Sequence, residues 1–177
     1  AVMLLAGHKL KVGLVTNHIA LSQVPAALST ELVVRKSRIL SKAFEDLFQL
    51  EKPKIAICAL NPHSGENGRI GWEDRELLVP AVKRLGRGFS GPFSADTIFW
   101  HASQGKFDGV LAMYHDQGLA PLKTLCFYDA INISAGLRYL RVSPDHGPAK
   151  DLYLKKVASH ESFNRCLKLT CHYNTKN

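Results

Sequence analysis

Met113-Tyr114-His115-Asp116-Gln117-Gly118-Leu119-Ala120-Pro121-Leu122-Lys123 is the stretch from which the fold can be read. An apolar run, Gly109 to Met113, stops abruptly at a cluster of His, Asp, Gln and Gly, and a lysine follows eight residues after the histidine. In an open α/β sheet, ligands bind at the C-terminal ends of the strands. Imidazole beside carboxylate suits a metal ligand with its orienting partner, or a general base with its orienter. The plain alternative is a polar strand-to-helix turn. Asn17-His18 and Asn61-Pro62-His63-Ser64-Gly65-Glu66-Asn67-Gly68 repeat the design: an apolar strand, then a histidine where it ends.

Working outward, the chain alternates strands with helices. Lys11 to Thr16 is a short buried strand ending at Asn17-His18. Ser22 to Ala27 reads as a turn, or one helical turn broken by Pro25. Ser29 or Thr30 is the N-cap of an amphipathic helix. Its stripe is Leu32, Leu40, Ala43, Phe44 and Leu47, it ends near Leu50, and Lys52-Pro53 stops it. Ile55 to Leu60 is apolar on both faces, as parallel strands covered by helices are. Asn61 to Gly71 is a loop with Gly65, Gly68 and Gly71. It matches neither glycine-rich nucleotide fingerprint. Trp72 to Leu85 is a helix with Glu73 and Asp74 in its first turn, and Pro80 should kink it.

Beyond it, Gly86 to Gly91 is a loop, and Phe93 to Thr97 leads into a short helix through Phe99 and Trp100. Phe107 to Met113 is a strand, and Leu119 to Leu125 a short helix or turn. Ile131 to Ser134 and Tyr139 to Val142 are strands linked through Gly136. Ser143 to Pro148 is a second polar loop. Asp151 to Ala158 and Ser162 to Leu169 are helical, and Tyr173 to Asn177 is a frayed tail. The alternation gives the α/β class.

Composition bounds the function. The 177 residues suffice for one domain with a core, and 46% apolar with 21% charged residues is ordinary for a soluble globular protein. No segment reaches the roughly 18 uninterrupted apolar residues of a membrane span. Ala1 to Ala6 is apolar but has no charged region before it and is too short for a secretory signal. The chain does not begin with Met; either Met3 is the start or the sequence is a piece of something longer. The net charge of +8 comes from scattered basic residues without an RNA-binding aromatic signature. Solvated faces and a few phosphate ligands account for it better than a nucleic-acid surface. Cys58, Cys126, Cys166 and Cys171 form no Cys-x-x-Cys pair and read as reduced thiols, which suits a cytoplasmic protein.

If the strands before His18, His63 and His115 are sheet neighbours, their ends converge. Three neutral imidazoles with an open position make a divalent-metal site with room for substrate; otherwise these are three unrelated loop histidines. His8, His101, His160 and His172 read as surface residues, and Asp145-His146-Gly147 as a tight polar turn. Lys123, Asn132 and Arg141 are spaced by nine and nine, and together would bind phosphate. The alternative leaves Lys123 solvated and pairs Arg141 with Asp145.

These blocks, with Thr16-Asn17-His18, Ser94-Ala95-Asp96-Thr97 and Asn132-Ile133-Ser134-Ala135-Gly136, closely resemble the 4-hydroxythreonine-4-phosphate dehydrogenase family of vitamin B6 biosynthesis. The resemblance covers nearly the whole chain but only the C-terminal half of the family's length. It implies an isocitrate/isopropylmalate dehydrogenase-like fold, truncated at the N-terminus. Residues 1–115 would then belong to a central dimerisation and metal domain, and 116–177 to part of the cofactor and substrate domain. It implies oxidation of a phosphorylated hydroxy-amino acid by NAD or NADP, then loss of CO2 to give 3-amino-2-oxopropyl phosphate. His18, His63 and His115 would hold a divalent metal (Zn, Co or Mg), and Lys123, Asn132 and Arg141 the substrate. Asp145, His146 and Gly147 would meet the dinucleotide. Asp96 or Asp116 would orient a metal histidine or relay a proton, and Lys123 joins them as a catalytic group. The implied assembly is a homodimer with its site at the interface, without nucleic acid or membrane. Pro148 stands where a small residue such as Thr is expected. Three alternatives remain: a catalytically incomplete metal- or phosphate-binding fragment, a family member acting on another phosphorylated hydroxy acid or a diol, and a zinc-dependent hydrolase.

Overall fold

The computed structural model describes residues 1–147, 150–153, 155 and 157–174. In chain order it contains β1 (Val2–Ala6), β2 (Lys11–Leu14), a short helix α1 (Val24–Ala27), α2 (Thr30–Phe48), β3 (Ile55–Cys58), α3 (Val79–Leu85) and β4 (Phe89–Phe93). There follow α4 (Ala95–Ser103), β5 (Gly109–Ala112), α5 (His115–Cys126), β6 (Ile131–Ala135), β7 (Val142–Pro144) and α6 (Glu161–Asn174). The strands form one mixed sheet in the order β4-β3-β5-β2-β1-β6-β7. The β4-β3-β5-β2 side is parallel, whereas β1 runs antiparallel to both β2 and β6, and β7 antiparallel to β6.

Two apolar layers sandwich the sheet. Val2, Leu4, Ile55, Ile57, Leu111 and Met113 pack on one side with Val33, Leu40 and Phe44 of α2, Ala81 of α3 and Cys166 of α6. Leu5, Val12, Ala56, Cys58, Val110 and Ala112 pack on the other with Ile98 and Phe99 of α4 and Leu122 and Cys126 of α5. Strands buried on both faces have no polar side, which is why β3 and β5 read as unbroken apolar runs. Ser29 is the N-cap of α2: its Oγ accepts from the N–H of Leu32 at 3.1 Å, while the Thr30 hydroxyl donates to the carbonyl of Leu77. Gly118 lets α5 lie hard against β2, since a Cβ there would stand 2.7 Å from Val12 Cγ1 and 2.9 Å from Leu14 Cδ2.

Several expectations are corrected. The apolar start is the strand β1, buried between β2 and β6. The expected loop from Gly86 already enters β4 at Phe89; an edge strand containing glycine and proline carries little strand signal. Asp74–Leu78 is a π-helical turn that runs directly into α3, and Pro80 lies in the first turn of α3. The last strand is Val142–Pro144, shifted forward because Ile131 pairs with Pro144 and Ile133 with Val142. α5 begins at His115 itself. Among the described residues of the expected helix Asp151 to Ala158 there is only a short 3-10 turn, Lys150–Leu152, and residues 154 and 156 lie outside the described residues. α6 runs through Tyr173 to Asn174, into the expected frayed tail.

Candidate functional site

Parallel pairing sets β3, β5 and β2 side by side, so their C-terminal ends open on one rim of the sheet. β2 leads to His18, and β5 leads to His115 in the first turn of α5. The two rings meet with centroids 5.2 Å apart. Backbone and side chain fix this approach: Thr16 N–H and Oγ1–H both donate to the carbonyl of Met113, at 3.2 and 2.7 Å. His115 Nδ1 lies 2.7 Å from Asp116 Oδ1, which leaves Nε2 for another partner. Gln117, nearly buried at 9% exposure, accepts from Met113 N–H and donates to the carbonyl of Ala59, both at 2.7 Å.

β3 leads to His63 through a left-handed turn. Five consecutive residues, His63, Ser64, Gly65, Glu66 and Asn67, have φ between 42° and 75°. Glycine accepts that region freely, but the other four residue types are strained there. The carboxylate of Asp74, 1% exposed, anchors the start of this loop. It accepts from Leu60 N–H at 2.7 Å, Asn61 N–H at 3.0 Å and Asn61 Nδ2 at 2.9 Å, and Glu73 takes a second proton of the same amide at 2.8 Å. His63 is exposed and hydrogen-bonded through Nδ1 to Glu66 at 3.0 Å. That bond, the Glu66 charge and more weakly Asp96 hold its pKa above the ordinary histidine value. Asp96 and Asp116 line one groove of about 440 Å³ between α4 and α5, with Tyr114 and Gln117. Burial pushes the Cys58 thiol up, so it is a neutral packing group.

The rim therefore brings His18 and His115 together, while the ligand atoms of His18, His63 and His115 do not all lie within 4.8 Å of one another. Among the described residues, the one set of three His, Cys, Asp or Glu groups whose ligand atoms lie within 4.8 Å of one another is His8, Cys126 and Asp129. Protein donors already occupy that carboxylate. Asp129 accepts from His8 N–H at 2.6 Å, pairs with His8 Nδ1 at 3.0 Å and with Arg165. It clamps the β1–β2 turn to α6, so His8, expected as a plain surface residue, is exposed but paired. His160 and His172 are exposed, with His172 hydrogen-bonded to Gln49, and His101 is half-buried against Trp100.

The residues expected to bind phosphate lie around β6, β7 and α5. Lys123 forms an ion pair with Asp145 Oδ2 at 2.7 Å and also donates to the Asp145 carbonyl. Arg141 donates through Nη1 to Ser134 Oγ at 3.0 Å. Both halves of the alternative reading are thereby corrected: Lys123 is not simply solvated, and Asp145 pairs with it rather than with Arg141. Asn132 follows the β6 alternation, and its Oδ1 is buried without a hydrogen-bond partner. Such an orphaned acceptor is what a ligand donor would satisfy. Asp145 N–H donates to Ser162 Oγ at 3.2 Å, and His146 Nδ1 contacts the Gly147 carbonyl at 3.0 Å. Pro148 lies outside the described residues.

The sequence reading gives Thr16, Gln117 and Ser134 no role of their own and takes Asp74 only as an acid in a helix's first turn. Only Asp74 carried a signal: an acid four residues before Leu78, on the face that is buried.

Residues 1–170 match the model of the family described as pyridoxal phosphate biosynthetic protein PdxA. The 4-hydroxythreonine-4-phosphate dehydrogenase of Sulfurihydrogenibium sp. is 46% identical over 163 residues, which are 90% of this chain and 50% of that protein. The crystal structure of 4-hydroxythreonine-4-phosphate dehydrogenase from Klebsiella pneumoniae superposes with a TM-score of 0.84 at 37% identity, covering 95% of this chain and 52% of that one. A terephthalate 1,2-cis-dihydrodiol dehydrogenase from Burkholderia xenovorans superposes at 0.77 with 28% identity, covering 95% and 54%. The chain spans about half the length of the curated relatives it matches. A match over residues 1–170 of 177, on a fold shared with these dehydrogenases, makes the chain a member of the PdxA family.

Proposed function

We propose that this chain is the metal- and phosphate-binding part of an NAD(P)-linked dehydrogenase that oxidises 4-phosphohydroxy-L-threonine, with decarboxylation, towards 3-amino-2-oxopropyl phosphate. The observation that carries the reading is the meeting of His18 and His115 at the ends of adjacent parallel strands, their rings 5.2 Å apart. The donor set fits a divalent ion such as Zn, Co or Mg: imidazoles, two of them with Nδ1 on a carboxylate and Nε2 left over. Such an ion would acidify the substrate hydroxyl and polarise the carbonyl that replaces it. His63 stands apart from the pair in its own chain, which supports a homodimer in which a second copy supplies it. The proposed fold is of the isocitrate/isopropylmalate dehydrogenase type, with residues 1–115 forming the metal and dimer region and 116–177 part of the cofactor and substrate region.

Asp116 orients His115, and Asp96, whose charge reaches His63, is the second proton-handling candidate. Lys123, Asn132 and Arg141 bind the substrate phosphate and fix its register. For that, phosphate must displace the Asp145 carboxylate from Lys123. The freed Asp145-His146-Gly147 turn then meets the dinucleotide, so substrate and cofactor engagement are linked. The free thiols of Cys58, Cys126, Cys166 and Cys171 suit a cytoplasmic setting.

The test is reduction of NAD+ by this chain with 4-phosphohydroxy-L-threonine and added Zn2+ or Co2+, alongside calorimetric titration of each metal. Metal binding with turnover is the expected result. Metal binding without turnover assigns catalysis to sequence outside this chain, leaving a metal-binding fragment. No metal binding overturns the reading. The likeness to the dihydrodiol dehydrogenase favours one other substrate class, a cis-diol; oxidation of a diol in preference to the phosphorylated amino acid would select it.

A further inference from the structure

We infer that Thr16 and Gln117 are positioning residues for the three histidines, acting through one peptide unit, that of Met113. This rests on the metal site proposed above. β3 and β5 pair regularly from Ile55 and Gly109 as far as Ile57 and Leu111. Beyond that point the Gln117 amide lies between the strands, accepting from Met113 N–H and donating to the Ala59 carbonyl, both at 2.7 Å. A carboxamide has the donor and acceptor of a peptide unit. It therefore continues the hydrogen-bond ladder while holding the two strand ends further apart than direct pairing would. The Met113 carbonyl, on the other side of the same residue, accepts both donors of Thr16. All three histidine-bearing segments are thus tied to Met113. His18 is two residues beyond Thr16, His115 two beyond Met113, and His63 four beyond Ala59.

The bonds are buried, so water cannot replace them cheaply. Neither side chain is an expected ligand: Thr16 spends its hydroxyl proton on Met113, and Gln117 has one proton and its oxygen committed. Their role is to fix the His18–His115 pair and the stem of the His63 loop relative to one another within each copy, and so the geometry in which one copy's His63 meets the other's pair.

The test is Co2+ titration of the full chain, read by affinity and by the visible absorption of bound Co2+, with the urea midpoint measured alongside. Thr16→Val keeps the shape and loses the hydroxyl, and Thr16→Ser restores the hydroxyl. Gln117→Glu keeps the shape and the acceptor but not the donor to Ala59. Thr16→Val and Gln117→Glu should each weaken Co2+ binding about 10- to 100-fold and alter its spectrum, the range found when groups orienting metal ligands are removed. Thr16→Ser should stay near the unaltered chain. A fall in the urea midpoint with Co2+ affinity and spectrum unchanged overturns the inference, because the bonds would then be purely structural. If Gln117→Glu does not fold, the Thr16 pair decides. An unaltered chain that binds no Co2+ overturns the metal reading itself, a different result from variants that bind as well as it does.

Discussion

Replacing Asp74 with Asn should unfasten the loop that carries His63. The carboxylate accepts three hydrogen bonds, from Leu60 N–H, Asn61 N–H and Asn61 Nδ2. A bond to a charged acceptor contributes about 1.5–3 kcal/mol, so the three together contribute about 4.5–9 kcal/mol. They oppose the strain of the left-handed turn. His63, Ser64, Glu66 and Asn67 are its four non-glycine residues, and at about 1–2 kcal/mol each they store about 4–8 kcal/mol. The two amounts are close, so removing part of the anchor tips the loop. An asparagine that keeps both Asn61 bonds aims its own N–H at the N–H of Leu60, where the carboxylate oxygen stood at 2.7 Å. Relaxation of the turn returns some of the loss, which leaves about 2–4 kcal/mol of net destabilisation. Urea denaturation measures that total. Hydrogen exchange at the Leu60 and Asn61 amides locates it, and both should exchange far faster in Asp74→Asn. Wild-type protection of these amides, or a loss below about 1 kcal/mol, would refute the anchoring argument.

Other outcomes follow from the same geometry. In the metal-free chain, His63 should titrate above the ordinary histidine value because Glu66 hydrogen-bonds to it, and Glu66→Gln should bring it back. The stability this pair contributes is fully present below the unfolded histidine pKa and is lost as pH rises through the raised folded value; an NMR titration with the same midpoint in both chains would disprove the pairing. Gly118→Ala should cost about 1–3 kcal/mol in urea denaturation, because its methyl would overlap Val12 and Leu14; no loss would mean that α5 lifts freely from β2. Arg141→Ala should weaken binding of the phosphorylated substrate by about 1.5–3 kcal/mol in calorimetry, and an unchanged affinity removes Arg141 from the site.

What could be read from the sequence divides along physical lines. β2, β3 and β5 were legible as buried, mostly apolar runs, and β6 because apolar residues alternate along it. The stripe of α2 was legible because one helix face packs on the sheet. β1 looked like an apolar terminus, since nothing local reveals that a distant strand pairs with it. β4, half-buried with glycine and proline, lacks both alternation and an apolar run. At the site, His18 and His115 were legible because strand ends in such sheets are where polar side chains gather. The anchors were not. Asp74 reaches back across thirteen and fourteen residues, Gln117 across fifty-eight, and no local pattern encodes such pairs. Gly65 hinted at unusual backbone, but four non-glycine neighbours sharing its conformation did not. The Lys123–Asp145 pair was missed because Arg141, nearer in sequence, was the expected partner for that carboxylate.

The central place of β1 has a consequence for how the chain folds. Val2 pairs with Ala135, and Ala6 with Ile131, so β1 must wait for a strand made much later. Such distant closures slow folding, because their loop entropy is lost before the contact compensates for it. During synthesis β1 can hydrogen-bond to β2 on one side while its other edge stays open, an invitation to a strand from another molecule. Yield from the cell should therefore depend on temperature and chaperone supply more steeply than the stability of the finished sheet suggests.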